Sequence, residues 1–251
     1  MRGRWAWIAL VGAVAFAAGD AALAQTRREP TRGYVGVSVG ALVRSSTVTA
    51  PLTFPVYGET ARVEIEASWP AGATVEFDGG VRLWRDFGVA LTVGHGRRDG
   101  DATLSGTIPH PYFYMQTRPL DAAGPSLART ETATHIGLMW RRRVSRRVTV
   151  AAIFGPSVIV VAQDVITGVS WTESYPYTSV TLTRPAVARR DGSATGFHVA
   201  GDVVVALAPQ VGLVGGLRYS RASVVLESVP GQEVEVDLGG VVVRGGVRWL
   251  F

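Results

Sequence analysis

Cysteine, lysine and asparagine are absent from this 251-residue chain. Without cysteine, the chain forms no disulfide and offers no thiolate as a nucleophile or metal ligand. Without lysine, all 25 basic residues are arginines, and the formal net charge is +5. These arginines are spread along the chain without a recognition helix or a stacking motif, so the composition does not indicate a nucleic-acid partner.

Long apolar runs are scarce as well, and one of them lies at the N-terminus. Arginines at positions 2 and 4 precede an apolar stretch over 8–18, and 22–24 supplies the small residues that a signal peptidase needs. This stretch is too short for a transmembrane helix, which needs about 20 residues. The pattern predicts a cleaved signal peptide over residues 1–24 and one exported domain over residues 25–251. An uncleaved N-terminal anchor is the alternative.

Apolar and polar residues alternate in eight segments of the remaining chain, with turn residues between the segments. Because successive side chains of a strand point to opposite faces, each segment predicts a strand with one apolar face and one face of small or polar residues. No apolar run here reaches the length of a spanning helix, so any membrane segment must be a strand. The predicted strands cover residues 33–43, 75–84, 89–104, 129–141, 148–167, 194–207, 211–227 and 234–251.

The predicted connections alternate in length. Short turns are expected around Asp86, Ser145 and Pro209. Long connections are expected after the first strand and over 106–128 and 168–192, and short turns opposite long loops are typical of an outer-membrane barrel. The sequence therefore predicts an all-β, antiparallel up-and-down transmembrane β-barrel of eight strands. A further alternating segment at 62–67, followed by a turn at 69–72, is interpreted as a hairpin within the first loop; a ten-stranded barrel is the alternative.

The last ten residues carry the most specific pattern in the chain. Apolar and aromatic residues alternate there with arginines and glycines, so one face suits lipid and the other suits a polar lumen. The segment resembles the terminal strand of small bacterial outer-membrane barrels of the OmpX/OmpA type, which end on Phe, with an aromatic residue two positions earlier and a glycine upstream. By this resemblance Gly246, Trp249 and Phe251 would form the signal that the barrel-assembly machinery reads.

Arginines test the predicted strand phase, because an Arg on the lipid face near the bilayer midplane costs about 2–4 kcal/mol. In these strands they share a face with small residues and carboxylates. We therefore predict a lumenal charge network of Arg82, Arg218, Arg244, Arg248, Asp78 and Asp202. Glycines on the same face, such as Gly36 and Gly216, leave room for these side chains. Eight strands enclose little more than side chains, so a filled lumen is expected; a narrow pore is the alternative.

Aromatic residues fall into two groups. The first lies where strands meet short turns, which predicts an interfacial girdle of Trp84, Phe87, Trp140, Trp249 and Phe251. The second lies in the long connections and comprises Tyr112, Phe113, Tyr114, Trp171, Tyr175 and Tyr177. An outer girdle, packing between loops and a binding surface are the three roles open to this second group.

Arginine clusters lie at both ends of the predicted strands. Residues 141–147 carry five arginines at a short turn, where anionic headgroups of the inner leaflet are expected. The pairs at 97–98 and 189–190 lie toward the long loops, where lipopolysaccharide phosphates are available for charge-assisted hydrogen bonds. Solvated charge at strand ends is the alternative for each cluster.

No catalytic, cofactor or metal site is predicted. His198 and Asp202 share a face but lie about 13 Å apart along a strand, and the catalytic pattern of lipid-modifying barrels is not found. The predicted protein is an integral outer-membrane barrel with a filled lumen and a structural or surface-interaction role through its extracellular loops. Its expected partners are lipid, lipopolysaccharide and the assembly machinery. The alternatives are a lipid A-modifying enzyme, a narrow pore and a secreted barrel that binds an apolar ligand.

Overall fold

A computed structural model describes residues 32–43, 45–229 and 232–251, so the predicted signal peptide lies outside the described residues. The described chain forms β1 (Gly33–Leu42), β2 (Ser46–Val56), β3 (Glu59–Trp69), β4 (Gly72–Trp84), β5 (Phe87–Pro109), β6 (Thr117–Arg143), β7 (Val148–Gly168), β8 (Trp171–Thr172), β9 (Thr181–Leu182), β10 (Ala186–Ala206), β11 (Val211–Val229) and β12 (Gln232–Leu250). No helix of these residues is long and apolar enough to cross a bilayer.

Eight of the strands close a ring. In ring order they are β1, β4, β5, β6, β7, β10, β11 and β12, and β12 pairs with β1 to complete the circle. Every pairing is antiparallel, and the connections β4–β5, β6–β7 and β10–β11 are short. The prediction of an eight-stranded antiparallel barrel is confirmed, and the ten-stranded alternative is wrong.

The two remaining long strands, β2 and β3, form a hairpin beside the ring. Its turn lies at Tyr57 and Gly58, whose φ angles of 52° and 80° are those of a type I′ turn. The sequence predicts a hairpin in this connection, and the structure has one. The predicted turn at 69–72 is wrong as a hairpin turn of β2 and β3, because residues 70–71 join β3 to β4. β3 pairs with β5 from Arg62 opposite Thr107 to Ser68 opposite Asp101, so the hairpin widens the sheet above β4.

Pro51 and Pro55, which the sequence places in a loop, lie within β2. The two-residue turn makes Val56 and Glu59 a hydrogen-bonded pair, so the nitrogens of Pro55 and Pro51 point away from β3. β2 is an edge strand of the sheet, where a missing N–H costs no ladder hydrogen bond. The prolines therefore blunt the edge of the hairpin without weakening it.

The ring strands are longer than the sequence predicts. β5 has 23 residues and β6 has 27, whereas a strand that crosses a bilayer needs about 9–11. Most of the predicted loop over 106–128 is strand, because β5 continues to Pro109 and β6 begins at Thr117. The predicted loop over 168–192 is also shortened, because β10 begins at Ala186.

Polarity reverses along the barrel. We call β1, β4 and the ring residues beside them, next to the short turns, the lower half. The upper half comprises β2, β3 and the segments 97–131, 161–194, 220–229 and 232–240. On β5, Val89 and Leu91 are exposed in the lower half, whereas Asp101 and Thr103 are exposed and Leu104 is buried in the upper half. The lower half thus turns apolar side chains outward, and the upper half turns them inward.

An apolar core fills much of the upper half. The indole Nε1 of Trp69 donates to the carbonyl of Leu127 over 2.9 Å, so this buried ring is anchored across the interior. The core residues are Leu52, Ala61, Val63, Ile65, Ala67, Trp69, Ala102, Leu104, Ile108, Leu120, Leu127 and Ile166. The hairpin supplies half of them, which explains why it folds onto the ring.

Candidate functional site

The interior of the lower half is charged. Arg218, Arg244 and Arg248 point inward and are almost fully buried, with Arg248 only 1% exposed. Three carboxylates face them, those of Glu76, Asp78 and Asp202. Charges in such an interior are tolerated when they are paired and hydrogen-bonded. Three arginines and three carboxylates give a set with no net charge.

These six side chains form one continuous chain of ion pairs. Arg248 reaches two carboxylates, donating from Nε to Asp78 over 2.7 Å and from Nη2 to Asp202 over 2.6 Å. Arg244 donates from Nη2 to both oxygens of Asp202, at 2.7 and 2.8 Å, and from Nη1 to Glu76 at 3.2 Å. Arg218 donates to Glu76 from both terminal nitrogens, with Nη1 lying 3.0 Å from Oε2 of Glu76. Such paired geometry holds each guanidinium in one orientation.

Glycines make the room that the charge network needs. A Cβ on Gly36 would lie 2.7 Å from Cγ of Arg248, which crosses that position on its way to Asp78. A Cβ on Gly216 would lie 2.3 Å from a carboxylate oxygen of Asp202. Both glycines therefore line the charged interior, as their position on the polar face of the predicted strands indicates.

Five of the six residues predicted for this network lie together. The sixth, Arg82, is half-buried near the short turn between β4 and β5. Glu76 is the member that sequence reasoning missed, although it shares a strand face with Asp78 and bonds two of the arginines. Glu76 lies within the predicted strand over 75–84, two residues before Asp78, so the alternation of that strand already places it on the inward face.

Above the network, two histidines enclose a serine. His135 Nδ1 lies 2.7 Å from the hydroxyl of Ser157, and His198 Nδ1 lies 3.1 Å from it on the other side. A hydroxyl has one proton, so it donates to one ring and accepts from the other, which fixes different tautomers for the two histidines. All three side chains are buried inside the ring. The sequence did not predict this cluster.

The arginine pairs expected to face lipopolysaccharide divide between two faces. Arg97 and Arg189 are exposed on the outside, each beside an aspartate at 3.3–3.4 Å. Arg98 is buried inside the barrel and Arg190 is half-buried on the inward face. Neighbouring residues of a strand point to opposite faces, so two consecutive arginines do not face the same side of the sheet. Only one arginine of each pair is therefore exposed on the outside.

The far end of the upper half carries exposed aromatic and apolar side chains, which we call the tip: Tyr112, Phe113, Tyr114, Met115 and Tyr175. Tyr175 is 86% exposed, the highest value among them. His110 supports the tip from below, because its ring lies 4.8 Å from Phe113 and its Nδ1 accepts from the backbone N–H of Tyr112 over 3.1 Å. Trp171, by contrast, packs on Phe54 at 5.5 Å and belongs to the core.

A carboxylate ties the tip to the hairpin. Glu173 accepts a hydrogen bond from the Tyr57 hydroxyl and pairs with the buried Arg118. Burial alone would raise the pKa of Glu173, but the hydrogen bonds from Tyr57 and Arg118 outweigh it and hold that pKa below its usual value. The same hydrogen bond raises the pKa of Tyr57. We call the contacts of Glu173 with Tyr57 and Arg118 the strap; they join three chain segments that are distant in sequence.

The five aromatic residues predicted as a girdle are all exposed, near the short turns: Trp84, Phe87, Trp140, Trp249 and Phe251. Trp84 and Phe87 stack across their turn with centroids 6.5 Å apart. Gly246, the third residue of the expected assembly signal, lies against β1, and a Cβ there would be 2.2 Å from the Val37 carbonyl oxygen. Within the described residues, no group of three His, Asp or Glu side chains has a metal-binding arrangement.

No protein-family model matches this chain, and no curated protein matches it. Among solved structures, the outer membrane protein OprG from Pseudomonas aeruginosa is similar, with a TM-score of 0.53, 8% identity, and coverage of 89% of this chain and 97% of that chain. Neisserial surface protein A has a TM-score of 0.45 at 13% identity, covering 87% and 97% of the two chains. Ail of Yersinia pestis has a TM-score of 0.37 at 11% identity, covering 88% and 99%. The chain has the fold of the small eight-stranded outer-membrane β-barrels.

Proposed function

We propose that this protein is an integral outer-membrane barrel with a filled lumen, and that its upper half presents a surface for interaction outside the cell. The observation that carries the second part is the exposed aromatic tip at the end of the upper half, whose interior is an apolar core. Exposed apolar patches on a folded surface mark binding sites. The likeness to OprG supports the membrane location.

The outer surface of the lower half fits lipid. Its exposed side chains include Val37, Phe77, Leu91, Ile136, Phe154, Val203, Leu217 and Val247. Aromatic rings near the short turns suit the headgroup level, and arginines at 142, 143, 146 and 147 are exposed at the turn between β6 and β7, where they suit anionic headgroups of the inner leaflet. The short turns then face the periplasm.

The charge network supports a filled lumen. Arginines from β11 and β12 meet carboxylates from β4 and β10 across the ring, so their ion pairs obstruct the path along the axis. Reconstitution of the purified barrel in planar bilayers tests this. We expect no stable conductance steps, and large steady steps would contradict a filled lumen.

The length of the strands supports a display role. The 27 residues of β6, at about 3.3 Å each and a tilt of about 40°, rise about 70 Å. The apolar band of an outer-membrane barrel is only about 25 Å tall. The tip therefore stands tens of ångströms outside the bilayer, carried by ordered strands rather than by loose loops.

Membrane location is tested by fractionation and by heat-modifiable migration of the full chain. The binding role is tested with a variant that carries Tyr112→Ser, Phe113→Ser and Tyr114→Ser. Cells that display the wild type are screened on immobilised glycans, lipid vesicles and serum proteins. We expect retention on at least one of these surfaces and its loss in the variant. A control with Thr103→Ser and Ser105→Thr, exposed on the side of the upper half, should keep it. Equal retention of all three proteins would contradict a role for the tip.

We further propose that the barrel contacts lipopolysaccharide, which is supported by Arg97 and Arg189, exposed on the outside where polarity reverses. Replacing both by Ser should lower the amount of lipopolysaccharide that copurifies, measured by mass spectrometry. Replacing Arg142 and Arg143, at the opposite end, is the matched control. Equal copurification in both variants would refute the contact.

A further inference from the structure

A small cavity lies inside the barrel where the two halves meet. Its volume is about 50 Å³, enough for one monatomic ion or a few waters. Its polar and charged lining residues include Thr74, Glu76, Arg98, Glu131, His135, Arg218 and Ser220. Ala73 and His95, which also border it, are exposed on the outside of the barrel.

The polar atoms left over around this cavity are hydrogen-bond donors. Arg98 is 8% exposed, and its Nη1 has no hydrogen-bond partner. Nε of Arg218 and the hydroxyl of Thr74 are likewise buried without a partner. Guanidinium nitrogens only donate, and a hydroxyl can donate. An occupant that satisfies all three must be an acceptor.

Charge around the cavity is also unbalanced. Arg98 and Arg129 lie directly opposite each other on β5 and β6 and share one carboxylate, that of Glu131. Arg129 places its second terminal nitrogen on the Asp237 carbonyl at 2.9 Å, and the carboxylate of Asp237 is 70% exposed, so solvent screens its charge. The network below has three carboxylates for three arginines, whereas this pair has one for two. A buried cation without a counter-charge is strongly unfavourable.

The cavity wall is shaped to hold Arg98 in place. A Cβ on Gly72 would lie 2.5 Å from Cγ and 2.7 Å from Cδ of Arg98, so the arginine stem fits only because position 72 has no side chain. Gly94 and Gly96 line the same cavity. The backbone thus keeps open a space of ionic size beside a fixed guanidinium.

We propose that this cavity binds one small monovalent anion of the halide class, held by Arg98 Nη1, Arg218 Nε and the Thr74 hydroxyl. The anion supplies the missing counter-charge of the Arg98–Glu131–Arg129 cluster. The site is independent of the proposed surface role, because it depends only on the interior. Gluconate is too large for the space.

The direct test is crystallography of the full barrel in sodium bromide. We expect an anomalous peak inside the cavity, within hydrogen-bond distance of Arg98 Nη1. A cavity without an anomalous peak at a bromide concentration of several hundred millimolar, filled only by water, would overturn the proposal.

A solution test uses the thermal midpoint of unfolding at constant ionic strength. Replacing gluconate by chloride should raise that midpoint, by about 3–5 °C at ten times the dissociation constant. Arg98→Met removes the excess charge and should abolish the chloride dependence, whereas Arg97→Met, one residue away on the outside, should retain it. The same chloride response in both variants would refute the site. If Arg98→Met does not fold, Thr74→Val, which removes one donor, should weaken the response.

Discussion

The two halves of this barrel place apolar side chains on opposite faces of their strands. The lower half faces outward with Val, Leu and Phe and closes its interior with ion pairs, whereas the upper half exposes Asp, Glu and Thr and encloses a core around Trp69 and Leu104. Six strands run through both halves, namely β5, β6, β7, β10, β11 and β12. The solvent outside each half therefore decides which residues face inward, while the backbone pattern stays the same.

The strongest expected difference between the halves comes from removing a buried charge. Asp202→Ala leaves Arg244 and Arg248 without their shared carboxylate and should cost about 3–5 kcal/mol. Asp237→Ala in the upper half, whose carboxylate is exposed and 4.0 Å from Arg221, should cost less than about 1 kcal/mol. Urea unfolding in lipid vesicles measures both. Similar losses would show that the lower interior does not depend on its charges.

A core truncation should affect the upper half alone. Leu104→Ala removes a fully buried side chain, and the expected cost is about 2–4 kcal/mol. Leu91→Ala, on the same strand but exposed on the outside of the lower half, is the matched control and should cost far less. We expect Leu104→Ala to make the upper half sensitive to protease while heat-modifiable migration persists. Loss of the entire barrel would mean that the halves unfold together.

A single methyl group tests the space around the charges. Gly216→Ala places a carbon 2.3 Å from Asp202 and 2.7 Å from the Gly201 carbonyl oxygen, whereas the neighbouring Gly215 has nothing within 4 Å of such a carbon. We expect a loss of about 1–3 kcal/mol for Gly216→Ala and little change for Gly215→Ala. Equal tolerance in urea titrations would show that the interior rearranges freely.

The smallest effect should be a pH dependence of the tip. Because the pKa of Glu173 is lowered, its contribution to stability is present at neutral pH and is lost as the pH falls below about 4. Because the pKa of Tyr57 is raised, its contribution is lost only as the pH rises above about 10. Hydrogen exchange of residues 110–116 should therefore accelerate at both extremes and be slowest between them. A profile unchanged by Glu173→Gln would argue against the strap.

How far the sequence predicts this molecule differs between the halves. In the lower half, outward apolar residues alternate with inward small and charged residues. This two-residue alternation predicts which side chains of each strand face inward, identifies the strand that closes the ring, and places five residues of the charge network in the interior. In the upper half Pro119, Gly124 and Pro125 resemble loop residues, yet they lie within β6. That part of β6 pairs with β5, while its pairing with β7 begins only at Arg129, so prolines are tolerated there as on an edge strand.

Side-chain partners are harder to predict than faces. The alternation places Arg248 inside, but its two carboxylates lie on β4 and β10, which are 170 and 46 residues away in sequence. The histidine pair on Ser157 and the Arg98 cavity arise from ring closure in the same way, because their members belong to different strands. Sequence spacing along one strand contains no information about such contacts.

The ion pairs of the interior also have a consequence for the order of events in biogenesis. Arg244 and Arg248 belong to β12, and their carboxylates lie on strands two places away on either side of it. Asp202 on β10 is within reach of both arginines as soon as β10, β11 and β12 have paired. Glu76 and Asp78 on β4 come within reach of Arg218, Arg244 and Arg248 only when β12 pairs with β1. The charges of the interior are therefore balanced only in the closed ring.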